Sequence, residues 1–184
     1  MNRPVWLTLF GAGILAAAAG GIVALDRSAL LREGTPAPDF TARLSSGEEI
    51  TLSRYRGKRS VVLSFYPADF TPGCTKQACS YRDHHGEIER LGAVLLGVSA
   101  DGPARHAEFI RVHGLPYPLI SDPERNILRL YGAERFGGGI LPARRVTYVI
   151  DAEGVIRLAA HHELLVGRHI REILKTLRSL PKPS

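Results

Sequence analysis

Cysteine is nearly absent from this chain of 184 residues, with only Cys74 and Cys79, five positions apart. Two cysteines so close together cannot staple a fold, so a disulfide framework is excluded and reactivity becomes the better reading of the pair. Neither C-x-x-C nor C-x-x-x-C occurs. A disulfide oxidoreductase and a copper-handling cysteine pair are therefore left without their usual signatures. Cys74, Cys79, His84 and His85 read C-x4-C-x4-H-H, which is not a zinc-site spacing. No internal repeat and no low-complexity tract is present. Aromatics make up 7% of the residues, and no nucleic-acid motif accompanies the net charge of +6, so nucleic acid is excluded as a partner. The densest basic run, Arg54, Arg56, Lys58 and Arg59, reads as a solvated loop or as a contact to an anionic surface.

Charge is also missing from residues 4–25. As a helix rising about 1.5 Å per residue, this stretch could cross roughly 30 Å of hydrocarbon. Arg3 and the α-amino group before it favour a cytoplasmic N-terminus. The leading expectation is a single-pass anchor in the cell membrane, with the domain facing the periplasm or exterior. The rival is a signal peptide cleaved near the alanines at 16–19, which would release the domain to the periplasm. A misassigned start is the third reading. The expected organisation is an anchor or signal segment at 1–25, a linker at 26–38 and one domain at 39–180, long enough for an ordinary core.

Residues 65–74 read FYPADFTPGC and set Pro67, Thr71 and Cys74 in the spacing P-x-x-x-T-x-x-C. An apolar run of strand character, 60–66, leads in, and a helix-compatible run, 75–91, leads out. Cys74 is thus expected in the first turn of a helix, where unpaired N–H groups and the positive end of the dipole favour thiolate over thiol. A thiolate that displaces an oxyanion also needs donors facing the developing charge. The Thr71 hydroxyl is expected to donate to the sulfur or to a substrate oxygen. Pro67, lacking an N–H, is expected to shield the sulfur with an apolar face. Pro72 presets φ for the turn and Gly73 allows close backbone approach. The best fixed cation is Arg145, at the head of the apolar run 145–150, with Arg144 as its rival. Strand neighbours point to opposite faces, so only one of the two can aim at the sulfur. For Cys79 the plainer reading is a small apolar filler of the helix.

Extended to FYPADFTPGCTKQACSYRD at 65–83, this stretch resembles the signature of the bacterioferritin comigratory protein and peroxiredoxin Q group of peroxiredoxins. The likeness continues in LLGVSAD at 95–101, LPYPLISDPE at 115–124 and RVTYVID at 145–151, and spans about residues 33–180. The resemblance implies a thiol-dependent peroxidase for hydrogen peroxide and organic hydroperoxides. Cys74 would be peroxidatic and Cys79 resolving, with Pro67, Thr71 and Arg145 completing the site. It implies an intramolecular Cys74–Cys79 disulfide, a thioredoxin-like dithiol reductant, no cofactor, no metal, and a monomer or weak homodimer. Residues five apart on an α-helix lie roughly 8.6 Å apart at Cα. A disulfide needs less than about 7 Å, so closure requires the helix start to unwind. The chain departs from the group at Ala68-Asp69-Phe70, where Lys-Asp-Asp is common, and at Gln77, where many members carry Glu. Three glycines at 137–139 precede the Arg block. The alternative is a membrane-anchored thioredoxin-fold protein for copper handling or disulfide exchange.

The remaining pattern alternates. Strand character falls at 50–53, 61–65 and 94–99, and helical character at 75–91, 104–113 and 123–131. A hairpin is expected about 151–154, then a closing helix at 167–180 with Ile170, Ile173, Leu174 and Leu177 on one face. The pattern fits a thioredoxin-like α/β sandwich, a central mixed sheet flanked by helices, preceded by one N-terminal apolar helix.

Overall fold

The structure, a computed structural model, describes residues 29–135, 141–163 and 165–181. The chain first runs beside the later hairpin. Gly34 N–H donates to the Ile156 carbonyl at 2.8 Å, and Ile156 N–H to the Thr35 carbonyl at 2.9 Å. β1 (Thr41–Arg43) and β2 (Glu49–Thr51) then pair antiparallel as a separate ribbon. The strand expected at 50–53 ends with β2 at Thr51 and gives way to a 3-10 helix, Leu52–Tyr55, which buries Leu52. β3 (Ser60–Phe65) is buried at every position, as the centre of a sheet covered on both faces must be.

α1 (Pro72–Arg90), β4 (Ala93–Ser99), α2 (Pro103–His113), β5 (Leu119–Ser121), α3 (Asn126–Leu130), β6 (Val146–Ile150), β7 (Ile156–His161) and α4 (Val166–Ser179) follow. The five-stranded sheet has the order β5-β4-β3-β6-β7, with β3, β4 and β5 parallel and β6 and β7 antiparallel. This is the thioredoxin-like sandwich with a mixed central sheet. Strand alternation divides the core in two. Val61, Leu63, Phe65, Val146, Tyr148 and Ile150 face the layer made by β1, β2 and α3. Val62, Tyr66 and Val149 face α1, α2 and α4.

The helix expected at 123–131 shrinks to the five residues of α3. Arg125 takes a left-handed φ of 59°, which no helix continues through. The helix is started by Asp122, whose carboxylate accepts from Asn126 N–H at 2.9 Å and Leu128 N–H at 2.8 Å. β1 and β5, three residues each, are too short to show a period in sequence. The apolar helix expected at the N-terminus and the glycines at 137–139 lie outside the described residues.

Candidate active site

β3 delivers the chain to Tyr66 and to a buried Pro67, and the loop returns through Thr71 into α1. Thr71 is the extended N-cap, with φ −80° and ψ 144°, and Pro72 opens the helix. Cys74 therefore lies in the first turn, and its side chain turns inward, leaving 2% of the residue exposed. The first turn of the helix contains no acidic residue. Arg145, 5% exposed, comes from the residue just before β6. Its Nη2 donates to Cys74 Sγ at 3.4 Å. Its Nη1 donates to Gln77 Oε1 in a short hydrogen bond, and its Nε donates to the Glu163 carbonyl at 3.2 Å. With three acceptors around it the guanidinium has one place to be. A Cβ on Gly73 would sit 3.1 Å from Nη2, so the absence of a side chain there is what admits the clamped cation.

A polar chain continues behind the guanidinium. Gln77 Nε2 donates to Tyr81 Oη at 2.9 Å. Tyr81 Oη shares hydrogen bonds with Thr147 Oγ1 at 3.0 Å and Ser64 Oγ at 3.3 Å. Ser64 and Thr147 face each other in the β3–β6 register and approach to 3.2 Å. Burial pushes the Tyr81 phenol up, so it stays a neutral relay of hydrogen bonds. Cys74, Gln77, Tyr81, Ser64 and Tyr66 line one small apolar-walled pocket with Phe109 and Tyr117.

The structure thus brings Cys74, Arg145, Thr71 and Pro67 to one end of β3. Arg145 shares strand parity with Thr147 and Val149, on the α1 side. Arg144 has the opposite parity, and its charge acts on the Tyr148 phenol instead. Thr71 differs from the expectation. Its hydroxyl donates to the Ala68 carbonyl at 3.1 Å, and one hydroxyl proton cannot also go to the sulfur. Cys79 is half-buried on the same unbroken helix, and both thiols are free. His84 is bonded to the Ser80 carbonyl at 2.8 Å and His85 lies 3.5 Å from Glu89, each within α1. His162 is partly buried and rests on Glu172 at 2.9 Å. Sequence reasoning passed over Gln77, Tyr81, Glu163 and Thr147 as members of the site. For the first two a signal existed, because 74, 77, 78 and 81 recur on one helical face. Thr147 shares the strand parity of Arg145, which was signal enough to place it on that face; for Glu163, in the loop after β7, there was none.

The chain matches the AhpC/TSA family over residues 34–159. It is 42% identical over 148 residues to the chloroplastic peroxiredoxin Q of Oryza sativa subsp. japonica, covering 80% of this chain and 67% of that protein. The crystal structure of peroxidoxin BcpB from Mycobacterium tuberculosis superposes with a TM-score of 0.77 at 33% identity, over 83% of this chain and 99% of that one. The bacterioferritin comigratory protein of Xanthomonas campestris was solved in work on its alkyl peroxide reduction activity. It superposes with a TM-score of 0.70 at 29% identity, over 76% of this chain and 90% of that one.

These findings correct the location expected from residues 4–25. A membrane-spanning helix needs about 20 consecutive apolar residues. Among the described residues no helix is long and apolar enough to cross a membrane. The one that approaches the length, α1 with 19 residues, carries Lys76, Arg82, Asp83, Glu87, Glu89 and Arg90. The plant relatives are chloroplastic. The anchored, outward-facing placement and its exported rival do not stand, and the membrane-anchored copper or disulfide-exchange alternative gains no supporting observation. Residues 1–25 themselves lie outside the described residues.

Proposed function

We propose a complete peroxidase cycle from one premise: the chain belongs to the AhpC/TSA family and is a peroxiredoxin of the Q group. The observation that carries the reading is the Arg145 Nη2 donation to a buried Cys74 Sγ at 3.4 Å in the first turn of α1. The cation and the free N–H groups of the turn hold the sulfur as a thiolate. The thiolate attacks the terminal oxygen of a hydroperoxide. An S–O bond forms and the O–O bond breaks. Cys74 becomes a sulfenic acid, and the departing alkoxide or hydroxide takes a proton from solvent. Arg145 faces the oxygens on which charge develops. Thr71 acts as an acceptor of the hydroperoxide O–H, because its own proton is committed to Ala68. Pro67 closes the site to water.

Cys79 then attacks the sulfenic sulfur, an S–S bond forms and water leaves. Both residues sit on the continuous helix Pro72–Arg90, so their roughly 8.6 Å separation has to shrink by unwinding the first turns. A thioredoxin-like dithiol supplies the two electrons that restore both thiols. Hydrogen peroxide and organic hydroperoxides are both substrates. Phe70, 39% exposed at the loop that carries Thr71, offers an apolar approach, and the Xanthomonas relative is described for alkyl peroxide reduction.

Stopped-flow measurement of peroxide consumption tests the cycle. Cys74→Ser should abolish consumption, and a mutant running near the wild-type rate would sink the assignment. Cys79→Ser should keep the first oxidation and stall turnover with a dithiol. Mass spectrometry should then find sulfenic or over-oxidised Cys74. Undiminished multi-turnover activity would remove Cys79 from the cycle.

A further inference from the structure

Asp69 and His106 form an ion pair with neither residue exposed at all, and Nδ1 to Oδ2 is 2.7 Å. His106 Nε2 lies 3.2 Å from the Ile120 carbonyl, which can only accept, so Nε2 carries a hydrogen. Tyr66 Oη donates to the other Asp69 oxygen at 2.8 Å. Two bare lone pairs cannot face one another at such a distance, so a second proton lies between Nδ1 and Oδ2. The pair is neutral as a unit, which is the form that burial tolerates.

The backbone of Asp69 is gripped as well. Its N–H donates to Asp101 Oδ2 at 2.7 Å, and its carbonyl accepts from Arg105 Nη2 at 2.9 Å. Asp101 is itself fixed by Ser99 Oγ at 2.8 Å and by Arg105 Nε at 3.1 Å. One residue is thus held at its N–H, its carbonyl and both carboxyl oxygens, by the end of β3, the β4–α2 junction and α2. The next residue, Phe70, has φ 62°, a conformation non-glycine residues rarely adopt unless their surroundings impose it. Its ring is braced 5.0 Å from Phe109 and 5.2 Å from the Arg105 guanidinium. The loop gripped in this way carries Pro67 at one end and Thr71 at the other, and Ala68 supplies the acceptor that orients the Thr71 hydroxyl.

We propose that Asp69, through its pair with His106, is a positioning residue that fixes residues 67–71 as a rigid wall. Against that wall a hydroperoxide is held in line with Cys74 Sγ. The thiolate does not depend on it, since that rests on Arg145 and the start of α1. The inference builds on the peroxidase reading, so its test separates the two. Reaction with a hydroperoxide needs the thiolate and an oriented substrate. Alkylation by iodoacetamide needs the thiolate and access to it, but no oriented peroxide oxygen.

The experiment measures, on the full chain, the second-order rate with hydrogen peroxide and the iodoacetamide rate at the Cys74 peptide by mass spectrometry. Asp69→Ala should lose about tenfold or more in the peroxide rate, the scale of a misplaced reactant, while alkylation stays within about threefold. Asp69→Asn should restore the peroxide rate. Its Oδ1 still accepts from Tyr66, and its amide donates to a neutral His106 Nδ1. Arg105→Ala, at a half-exposed side chain, should lose about threefold in the peroxide rate alone. An Asp69→Ala peroxide rate equal to wild type overturns the proposal, as does an equal fall in both rates. If Asp69→Ala does not fold, an unchanged Arg105→Ala overturns it. A wild-type protein that alkylates normally and consumes no peroxide would sink the peroxidase reading instead.

Discussion

The two faces of β3 and β6 are built from alternate residues of the same strands and are put to opposite uses. On the face toward α3, Val61, Leu63 and Phe65 meet Val146, Tyr148 and Ile150. The polar atoms there are disposed of locally, since Tyr148 Oη donates to the Tyr131 carbonyl at 2.7 Å and Tyr131 Oη to the Pro38 carbonyl at 2.6 Å. Burial pushes the Tyr148 phenol up to about 12, so it stays neutral. On the face toward α1, Ser64 and Thr147 instead begin a hydrogen-bond chain that ends on a guanidinium and a thiol. Apolar packing is non-directional and supplies stability. A buried polar chain costs desolvation and is tolerated where every member finds a partner, and in return it holds one charge in one orientation.

If the division is real, the apolar face can be damaged without touching chemistry. Leu63→Ala should lower the unfolding free energy by about 2–5 kcal/mol, the range for a buried leucine truncation. Its peroxide rate per folded molecule should stay within about threefold of wild type, because no donor or charge moves. Urea unfolding beside stopped-flow rates checks both, and a rate loss as large as that of a site mutant would blur the two faces.

The chemical face should show its cost in acid. His169 on α4 is buried, donates Nε2–H to the His162 carbonyl at 3.0 Å and finds no partner for Nδ1 among the described residues. Burial lowers it from the ordinary 6.5 to about 4. Between those values only the unfolded chain takes the proton. Stability is therefore full above pH 6.5 and falls as pH drops toward 4, by about 3 kcal/mol at most. His169→Leu should flatten that part of the profile when unfolding is followed from pH 4 to 7. Identical slopes in the two proteins would refute the assignment.

Arg145→Ala should slow the peroxide step by about two orders of magnitude, the scale of removing one transition-state donor. Arg144→Ala, on the opposite face, should stay near wild type. Second-order rates for both from pH 5 to 9 decide the matter, and a larger defect in the Arg144 mutant would reverse it. The smallest effect is expected from Tyr81→Phe. It leaves the Gln77 amide without an acceptor, for about 1–2 kcal/mol in stability. Its rate loss should be well below that of Arg145→Ala, because the Arg145–Gln77 contact survives. An equal loss would mean that the chain acts as one unit.

Much of the fold was legible. The apolar run at 60–66 was read as a strand and holds β3, and the run at 75–91 was read as a helix, which α1 starts three residues earlier at Pro72. Helical spacing placed Ile170, Ile173, Leu174 and Leu177 on the inner face of α4. The short β1, β5 and α3 were not legible, since a few residues carry no period and α3 is started by an Asp122 side chain rather than by propensity. The apolar stretch at 4–25, which lies outside the described residues, invited a membrane placement that the chloroplastic plant relatives contradict.

At the site, the order of residues alone determined what is local: a cysteine in a first helical turn, a proline and threonine at fixed offsets before it, and a strand parity that sets Arg145 apart from Arg144. Those follow from backbone geometry over a few residues. Only the tertiary structure decided where each donor points. Arg145 reaches Cys74 across 71 positions and Gln77 across 68, and His106 reaches Asp69 across 37. The Thr71 hydroxyl turned to Ala68 instead of the sulfur. Contacts of that kind depend on which groups burial leaves without water and which partner lies within hydrogen-bond reach, and neither is a property of a segment by itself.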